Sequence, residues 1–558
     1  MSRAAIYWNP EAYDTSGKAL MGRHSAGEGF MRGYIRHGAA EQLTLWNIVN
    51  KPAAELEPLV RRLEPSEKPI DWIARGDQSG LRRVGVVNLP VPGLARYAWG
   101  RRVGDQRAYS LCGVTHTTVT GRVLDALNEL AIAPVQPWDA LVCTSRAVIA
   151  SLKVQSEMLD EYLKERLGAQ RAPRPQYAHI PLGINTSDFE TKQEDRKRWR
   201  EQLTIEDDDI AVLYVGRFNL TSKMNPVPMA MALERAAVRS GKRVHWVLAG
   251  WADERLEVAF REAILAHCLN VTCHFVDGRP PENRFSIWAV GDIFLSLSDN
   301  VQETFGLTPV EAMAAGLPSV ISDWDGYKDL IRHGVDGFRI STYTPAAGLG
   351  RDLAFVHSQE WTTYDGFVGS ISQFTAIDID ETARALAELM SNADLRRRMG
   401  ASALERARTM FDWKAIIPRY EALWAELNAR RRAAPAEAPR SRNNDDNPWR
   451  PDPFRMFAGY PTESLTGTTM LAPVAGMSWE AAQALMALPV VRAAGGLLPQ
   501  PAEVEQVLAF LVQRRQATIE AVLVQFPAPR RPHMERGLVW MAKYGLVSIL
   551  GRSNHIPI

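Results

Sequence analysis

The chain has 558 residues, 46% of them hydrophobic and 23% charged, with 65 Lys and Arg set against 64 Asp and Glu. That balance belongs to an ordinary soluble globular protein with room for about three folding units. A net charge of +1 excludes a global basic field for nucleic acid or anionic lipid. The four cysteines, Cys112, Cys143, Cys268 and Cys273, include no CxxC pair, so no zinc centre and a reducing compartment are expected.

Residues 4–8 (AAIYW) read as an apolar strand closed by the turn Asn9-Pro10, without the long apolar region of a signal peptide. No window of about 18 apolar residues occurs anywhere, so a cytoplasmic location is expected. The glycine loop Gly22-Arg23-His24-Ser25-Ala26-Gly27-Glu28-Gly29 follows and leads into a helix over 29–35. Residues 43–48, 84–89 and 140–144 read as further buried strands, with Ser145 placed to cap the next helix. A second series of strands covers 210–215, 244–249, 271–275, 293–297 and 319–321, with helices over 228–238 and 253–269 between them. Strand and helix alternating in this way predict parallel sheets with both faces covered, and two series predict two doubly wound domains. Ligands are then expected where the strand C-termini meet a cleft. Helical sequence returns from about 379 to 428. Residues 429–448, with Arg430-Arg431-Arg432 and an Ala/Pro-rich run, read as a linker.

The most informative segment is Ser298-Asp-Asn-Val-Gln-Glu303-Thr-Phe-Gly-Leu-Thr-Pro-Val-Glu311-Ala-Met-Ala-Ala-Gly-Leu-Pro-Ser-Val320. Thr308, Pro309 and Glu311 fit N-cap, N1 and N3 of a helix. The amides of Phe305, Gly306 and Leu307 are then expected at a positive helix end, a site for phosphate. Arg217 and Lys223, in VGRFNLTSK at the end of a strand, are cations suited to a diphosphate leaving group.

The Glu-x7-Glu spacing followed by Ala-Met-Ala-x-Gly-x-Pro resembles the signature of family-4 retaining glycosyltransferases. The resemblance covers about residues 1–430. It implies an α/β chain of the GT-B type: two Rossmann-like doubly wound domains facing a cleft, over 1–195 (completed by a closing helix, 411–428) and 196–410. By the same resemblance Glu303 holds hydroxyls of the donor sugar and Glu311 the nucleotide ribose, although Glu311 also fits half of a capping box. Arg217 and Lys223 fall on the diphosphate. His116, in Leu111-Cys-Gly-Val-Thr-His-Thr-Thr118, faces the sugar across the cleft or is a structural histidine. Gly27 and Gly29 match the family's glycine loop, where backbone approaches the donor phosphate, or serve a turn alone. The segment Asp323-Trp-Asp-Gly-Tyr-Lys-Asp329 departs from the family, which commonly has a glycine-rich turn and a Glu, and 341–376 form an insertion beside the expected pocket.

The implied reaction moves a sugar, with retention, from a UDP- or GDP-linked donor to a carbohydrate or lipid-linked acceptor, as in polysaccharide or glycolipid synthesis. No cofactor is expected, and no metal, the Asp207 to Asp209 pattern being read as a solvated acidic turn. A lipid-linked acceptor would place the protein peripherally at the inner face of the membrane. Residues 449–558 read as a small, mainly helical, winged-helix-like domain. They could meet DNA through Arg530, Arg531, His533 and Arg536, but suit a protein partner or self-association better, since the basic residues are few and interleaved with aromatic or apolar ones. The alternative from another class is a non-catalytic sugar-nucleotide sensor with this domain as its output.

Overall fold

The computed structural model describes residues 4–13, 22–171, 173–437 and 447–550. The chain divides into two units, Met1–Asp445 and Asp446–Ile558.

In the first unit the apolar runs form two parallel sheets. One consists of β1 (Ala5–Trp8), β2 (Leu43–Asn47), β3 (Ile70–Ala74), β4 (Val86–Asn88), β5 (Ser110–Val114), β6 (Ala140–Cys143) and β7 (Gln176–His179), in the order β3-β2-β1-β4-β5-β6-β7. The other consists of β8 (Ile210–Val215), β9 (Val244–Gly250), β10 (Val271–Asp277), β11 (Ile293–Ser296), β12 (Ser319–Ser322) and β13 (Gly337–Ile340), in the order β10-β9-β8-β11-β12-β13. Both are Rossmann-like doubly wound sheets. Their central strands are buried throughout (β2, β5, β6, β9, β11), because helices cover both faces and leave no room for alternation.

The helices that position the site are α1 (Gly22–His37), α2 (Arg146–Leu167), α3 (Pro226–Ser240), α4 (Leu307–Ala314), α5 (Arg351–Ser358), α6 (Tyr364–Ser372) and α7 (Trp413–Ala433). Ser145 caps α2 as expected, its side chain accepting from the Val148 amide. The insertion after β13 is a hairpin, its base closed by the antiparallel pair β14 (Thr342–Tyr343) and β15 (Ala376–Ile377) and its head formed by α5 and α6.

Residues 22–29 are not a loop. They are the first turns of α1, and Gly27 and Gly29 serve packing. A Cβ on Gly27 would lie 2.2 Å from the Ala12 carbonyl oxygen, and one on Gly29 would lie 3.0 Å from Trp413 Nε1. These glycines bring the helix onto its neighbours.

The chain crosses from the first sheet to the second near Ile184 and returns near Phe411, and the two crossings hold each other. The Ile184 amide donates to the Phe411 carbonyl at 2.9 Å and the Trp413 amide to the Ile184 carbonyl at 3.1 Å. Asp412 accepts from the Thr186 hydroxyl at 2.5 Å. From there α7 buries Trp413, Ile416, Tyr420, Trp424 and Leu427 in the core of the first sheet. At roughly 1.5–3 kcal/mol for each large apolar side chain fully buried, this helix is a main support of the domain it closes. It runs to Ala433, so residues 429–433 are helix where the sequence suggests linker. Residues 438–446 lie outside the described residues.

The second unit surrounds a small core, including Leu471, Val504, Leu511, Ile519, Leu538 and Met541. Its antiparallel sheet has the order β17-β16-β18, with β16 (Met470–Pro473), β17 (Ala517–Thr518) and β18 (Val547–Leu550). Around it lie α8 (Trp479–Met486), α9 (Pro501–Arg514), α10 (Ile519–Leu523) and α11 (Arg531–Lys543). Thr518 caps α10 through the Ala521 amide. Two of the exposed basic residues expected here are engaged internally. Arg530 binds Glu503 through two nitrogens at 2.6 and 2.7 Å, and Arg531 donates to the Phe526 carbonyl at 3.0 Å.

Candidate functional site

In the second sheet the chain leaves β8 toward one edge and β11 toward the other, so a crevice opens between their C-terminal ends. A small pocket occupies it. Tyr214, Val215 and Gly216 line it from the end of β8, Ser296 and Ser298 from the end of β11, and Lys223, Met224, Glu303, Thr308 and Tyr327 from the loops beyond. The loop after β8 is folded by Asn219, whose side-chain oxygen accepts from the amides of Thr221 at 3.0 Å and Ser222 at 2.7 Å. That turn delivers Lys223 to the pocket.

Lys223 Nζ meets Glu303 Oε2 at 3.0 Å. Two residues 80 positions apart in sequence, expected to serve as a cation for phosphate and a carboxylate for sugar, thus neutralise each other. Arg217 stands in the same loop, close enough for its charge to act on the Tyr214 and Tyr364 hydroxyls. His116 lies across the cleft, on the loop after β5. The Thr304 hydroxyl donates to the His116 carbonyl at 3.1 Å, and the Thr304 carbonyl accepts from the Thr144 hydroxyl at 3.0 Å. Thr304 therefore ties the residue after Glu303 to the first domain.

The helix beside the pocket starts earlier than its sequence suggests. Its N-cap is Gly306 at φ 99°, with no side-chain cap, and Thr308 already lies in the first turn. The capping box with Glu311 is not formed. The amides left open at this end belong to Gly306, Leu307 and Thr308, since Pro309 has none. The residue before them, Phe305, has a ring that is 2% exposed, and Gly326 sits so close that a Cβ there would be 2.3 Å from the Phe305 nitrogen. Phe305 is a core residue 6.0 Å from Phe411, ring to ring.

Glu311 lies on α4 facing Arg284 and Lys223. Burial pushes its carboxyl up to about 7 against the pull of those two cations. The departing segment 323–329 folds over the Glu303 turn, the Gly326 amide donating to the Glu303 carbonyl at 3.1 Å. It holds Asp325 at φ 40°, a strained backbone for this residue type. Burial and the neighbouring Glu303 raise the Asp325 carboxyl to about 8. The sequence reading assigns no role to Tyr214, Ser296 or Tyr327. The one signal for them is position, at or just beyond the ends of the two strands that flank the crevice.

Asp299, at the end of β11, is 3% exposed. One carboxylate oxygen accepts from the Asn225 amide at 3.4 Å and the other has no protein partner among the described residues. Burial raises this carboxyl to about 7. The folded state therefore holds a proton that the unfolded chain has released, and stability falls as pH rises from about 4 to about 7. Asp299→Asn is expected to lose less stability than the wild type between pH 5 and pH 8, by on the order of 2–4 kcal/mol. Urea unfolding at both pH values checks it, and equal losses would show that Asp299 stays ionised.

Among the described residues no group of three or more His, Cys, Asp or Glu side chains is arranged to hold a metal ion. Asp209 is not part of a solvated turn. It is 7% exposed and accepts from the Glu206 amide at 3.1 Å, with His245 Nε2 also at 3.1 Å. The four cysteines are free thiols, and no helix among the described residues is long and apolar enough to cross a membrane.

The lipopolysaccharide 1,2-N-acetylglucosaminetransferase of Salmonella typhimurium is 25% identical over 207 residues, 37% of this chain and 52% of that protein. The putative glycosyltransferase EpsD of Bacillus subtilis is 26% identical over 235 residues, 42% of this chain and 57% of that protein. The chain thus spans about half the length of these curated relatives. The solved structure of Anabaena Alr3699/HepE in complex with UDP superimposes with a TM-score of 0.49 at 15% identity, covering 76% of this chain and all of that one. Residues 195–360, which include every side chain that lines the pocket, match the family model described as Glycosyl transferases group 1.

Proposed function

We propose that this protein is a retaining glycosyltransferase of the family-4 kind, moving a sugar from a nucleoside-diphosphate sugar to an acceptor hydroxyl. The observation that carries the reading is the Lys223–Glu303 pair in a pocket at the crevice between β8 and β11, beside the open N-terminus of α4. A diphosphate entering there finds helix amides and two cations, Lys223 and Arg217, placed to neutralise charge as the leaving group departs. Lys223 exchanges Glu303 for phosphate, and Glu303 is released to accept from the sugar hydroxyls. Glu311 takes the ribose. His116, one hydrogen bond from Thr304, closes the sugar end from the first domain. No protein nucleophile is required, since a phosphate oxygen of the leaving group can take the acceptor proton on the same face.

The relative named for lipopolysaccharide supports a carbohydrate or lipid-linked acceptor of the cell envelope, reached from the cytoplasmic side. The second unit, with α9, α10 and α11 around a three-stranded sheet, supports a winged-helix-like docking module. Its Arg530 and Arg531 are spent on internal bonds, which favours a protein partner over DNA.

Calorimetric titration with UDP and with GDP tests the site. One of them is expected to bind, and Glu311→Ala to weaken that binding about 10- to 100-fold through loss of hydrogen bonds to a charged group. Binding of neither nucleotide, or equal binding by the variant, would overturn the assignment.

A further inference from the structure

We infer that Tyr364, on the inserted hairpin, is a positioning residue that fixes the Lys223–Glu303 pair for the sugar end of the donor, an inference that rests on the donor-site reading above. The Tyr364 hydroxyl donates to Gln302 Oε1, and Gln302 Nε2 donates to the Ser222 carbonyl. Gln302 precedes Glu303 and Ser222 precedes Lys223, so this short chain of bonds sets the spacing of the two backbones whose side chains meet at 3.0 Å. The Tyr364 hydroxyl thus holds the one side chain, Gln302, that links the Glu303 loop to the Lys223 loop.

The hairpin does not depend on that hydroxyl for its place. Asn300 Nδ2 bonds Ser372 Oγ at 3.1 Å, Trp324 Nε1 donates to the Asn300 carbonyl at 3.0 Å, and Gly369 rests against Thr221, where a Cβ would find the Thr221 side chain at 3.0 Å. Tyr364→Phe therefore keeps the ring, the packing and the docking of α6, and removes only the bond that holds the Gln302 side chain in its bridging position. Because the bonds act on the Lys223–Glu303 spacing and not on the ribose side, the loss should fall on turnover of the nucleotide sugar and spare nucleotide affinity.

The test uses the full chain and compares wild type, Tyr364→Phe, Gln302→Ala and the double variant. The readouts are nucleotide affinity by calorimetry, melting temperature, and kcat and KM for release of nucleotide from the accepted nucleotide sugar. Tyr364→Phe is expected to lower kcat/KM about 10- to 100-fold, mostly in kcat, from misplacement of the reacting groups. Nucleotide affinity should change less than about twofold, and the double variant should lose no more than Gln302→Ala alone, the mark of residues acting through one connection. Unchanged kcat/KM in Tyr364→Phe overturns the inference while leaving the donor site intact. So does a loss of nucleotide affinity in step with a lower melting temperature, or fully additive losses. A wild-type protein that releases nucleotide from no nucleotide sugar overturns the donor-site reading itself, and the inference with it.

Discussion

Lys223→Ala is expected to lower kcat/KM for the nucleotide sugar about 100- to 1,000-fold, the range seen when one preorganised donor to a developing charge is removed. Two losses combine. The departing diphosphate loses a cation that the turn at Asn219 places at the pocket wall. Glu303, whose side chain is only 12% exposed, loses the positive charge 3.0 Å away and faces the incoming phosphates as an unpaired carboxylate. Lys223→Arg retains the charge and should recover part of the rate, though its planar fork does not reproduce the point contact of an ammonium. Steady-state release of nucleotide by the variants measures the effect. A Lys223→Ala enzyme within tenfold of wild type would remove Lys223 from the leaving-group site.

The largest loss of stability is expected at a place remote from the pocket. Arg101 and Asp139 are fully buried and joined by two bonds, 2.7 Å from Nη1 to Oδ1 and 2.8 Å from Nη2 to Oδ2. Arg101 also donates to the Tyr109 carbonyl at 2.7 Å, and Asp139 accepts from the Leu111 and Gln136 amides, both at 2.8 Å. The pair fastens β5 and β6 at the ends opposite the cleft, and β5 leads into the His116 loop. Arg101→Ala leaves a buried carboxylate without its counter-charge and should destabilise the first domain by about 3–5 kcal/mol. Replacing both residues together, Arg101→Met with Asp139→Leu, should be less harmful than the single change, because no uncompensated charge remains. Urea unfolding of the two variants decides between these outcomes, and a double variant worse than the single one would show that the hydrogen bonds to backbone outweigh the charge effect.

Much of this architecture is legible in the sequence wherever burial is two-sided. The runs at 210–215, 244–249 and 293–297 have no alternation, which only a covered parallel strand explains, and all three are strands of the second sheet. The strands that escape notice are shorter or interrupted edge or near-edge strands: Ile70–Ala74 carries Asp71, and Gly337–Ile340 begins with glycine and includes Arg339. Local signals also mislead where a distant partner decides. The glycines of α1 look like a phosphate loop because glycine spacing alone does not distinguish a loop from a packed helix, and the ring that Gly29 meets, Trp413, is almost 400 residues away. The pattern Thr308-Pro309-x-Glu311 looks like a capped start, but Gly306, pressed against Tyr327, begins the helix two residues before. Of the candidate residues, Arg217, Lys223, Glu303 and Glu311 gather around one crevice, and the His116 backbone is tied to it through Thr304. Gly27 and Gly29 lie in the first turns of α1, and the Phe305 ring is part of the core. Tyr364 carries no motif at all, and only its bond to Gln302, the side chain that reaches the Lys223 loop, reveals it.

Sugar transfer with retention is the reaction proposed for the crevice between β8 and β11. Proton NMR of the full chain with a panel of α-linked UDP- and GDP-sugars, with and without simple carbohydrate acceptors, decides it. Release of one nucleotide together with an α-linked product, abolished in Lys223→Ala, is the predicted result. A β-linked product would contradict retention, and no release from any donor would contradict catalysis at this site.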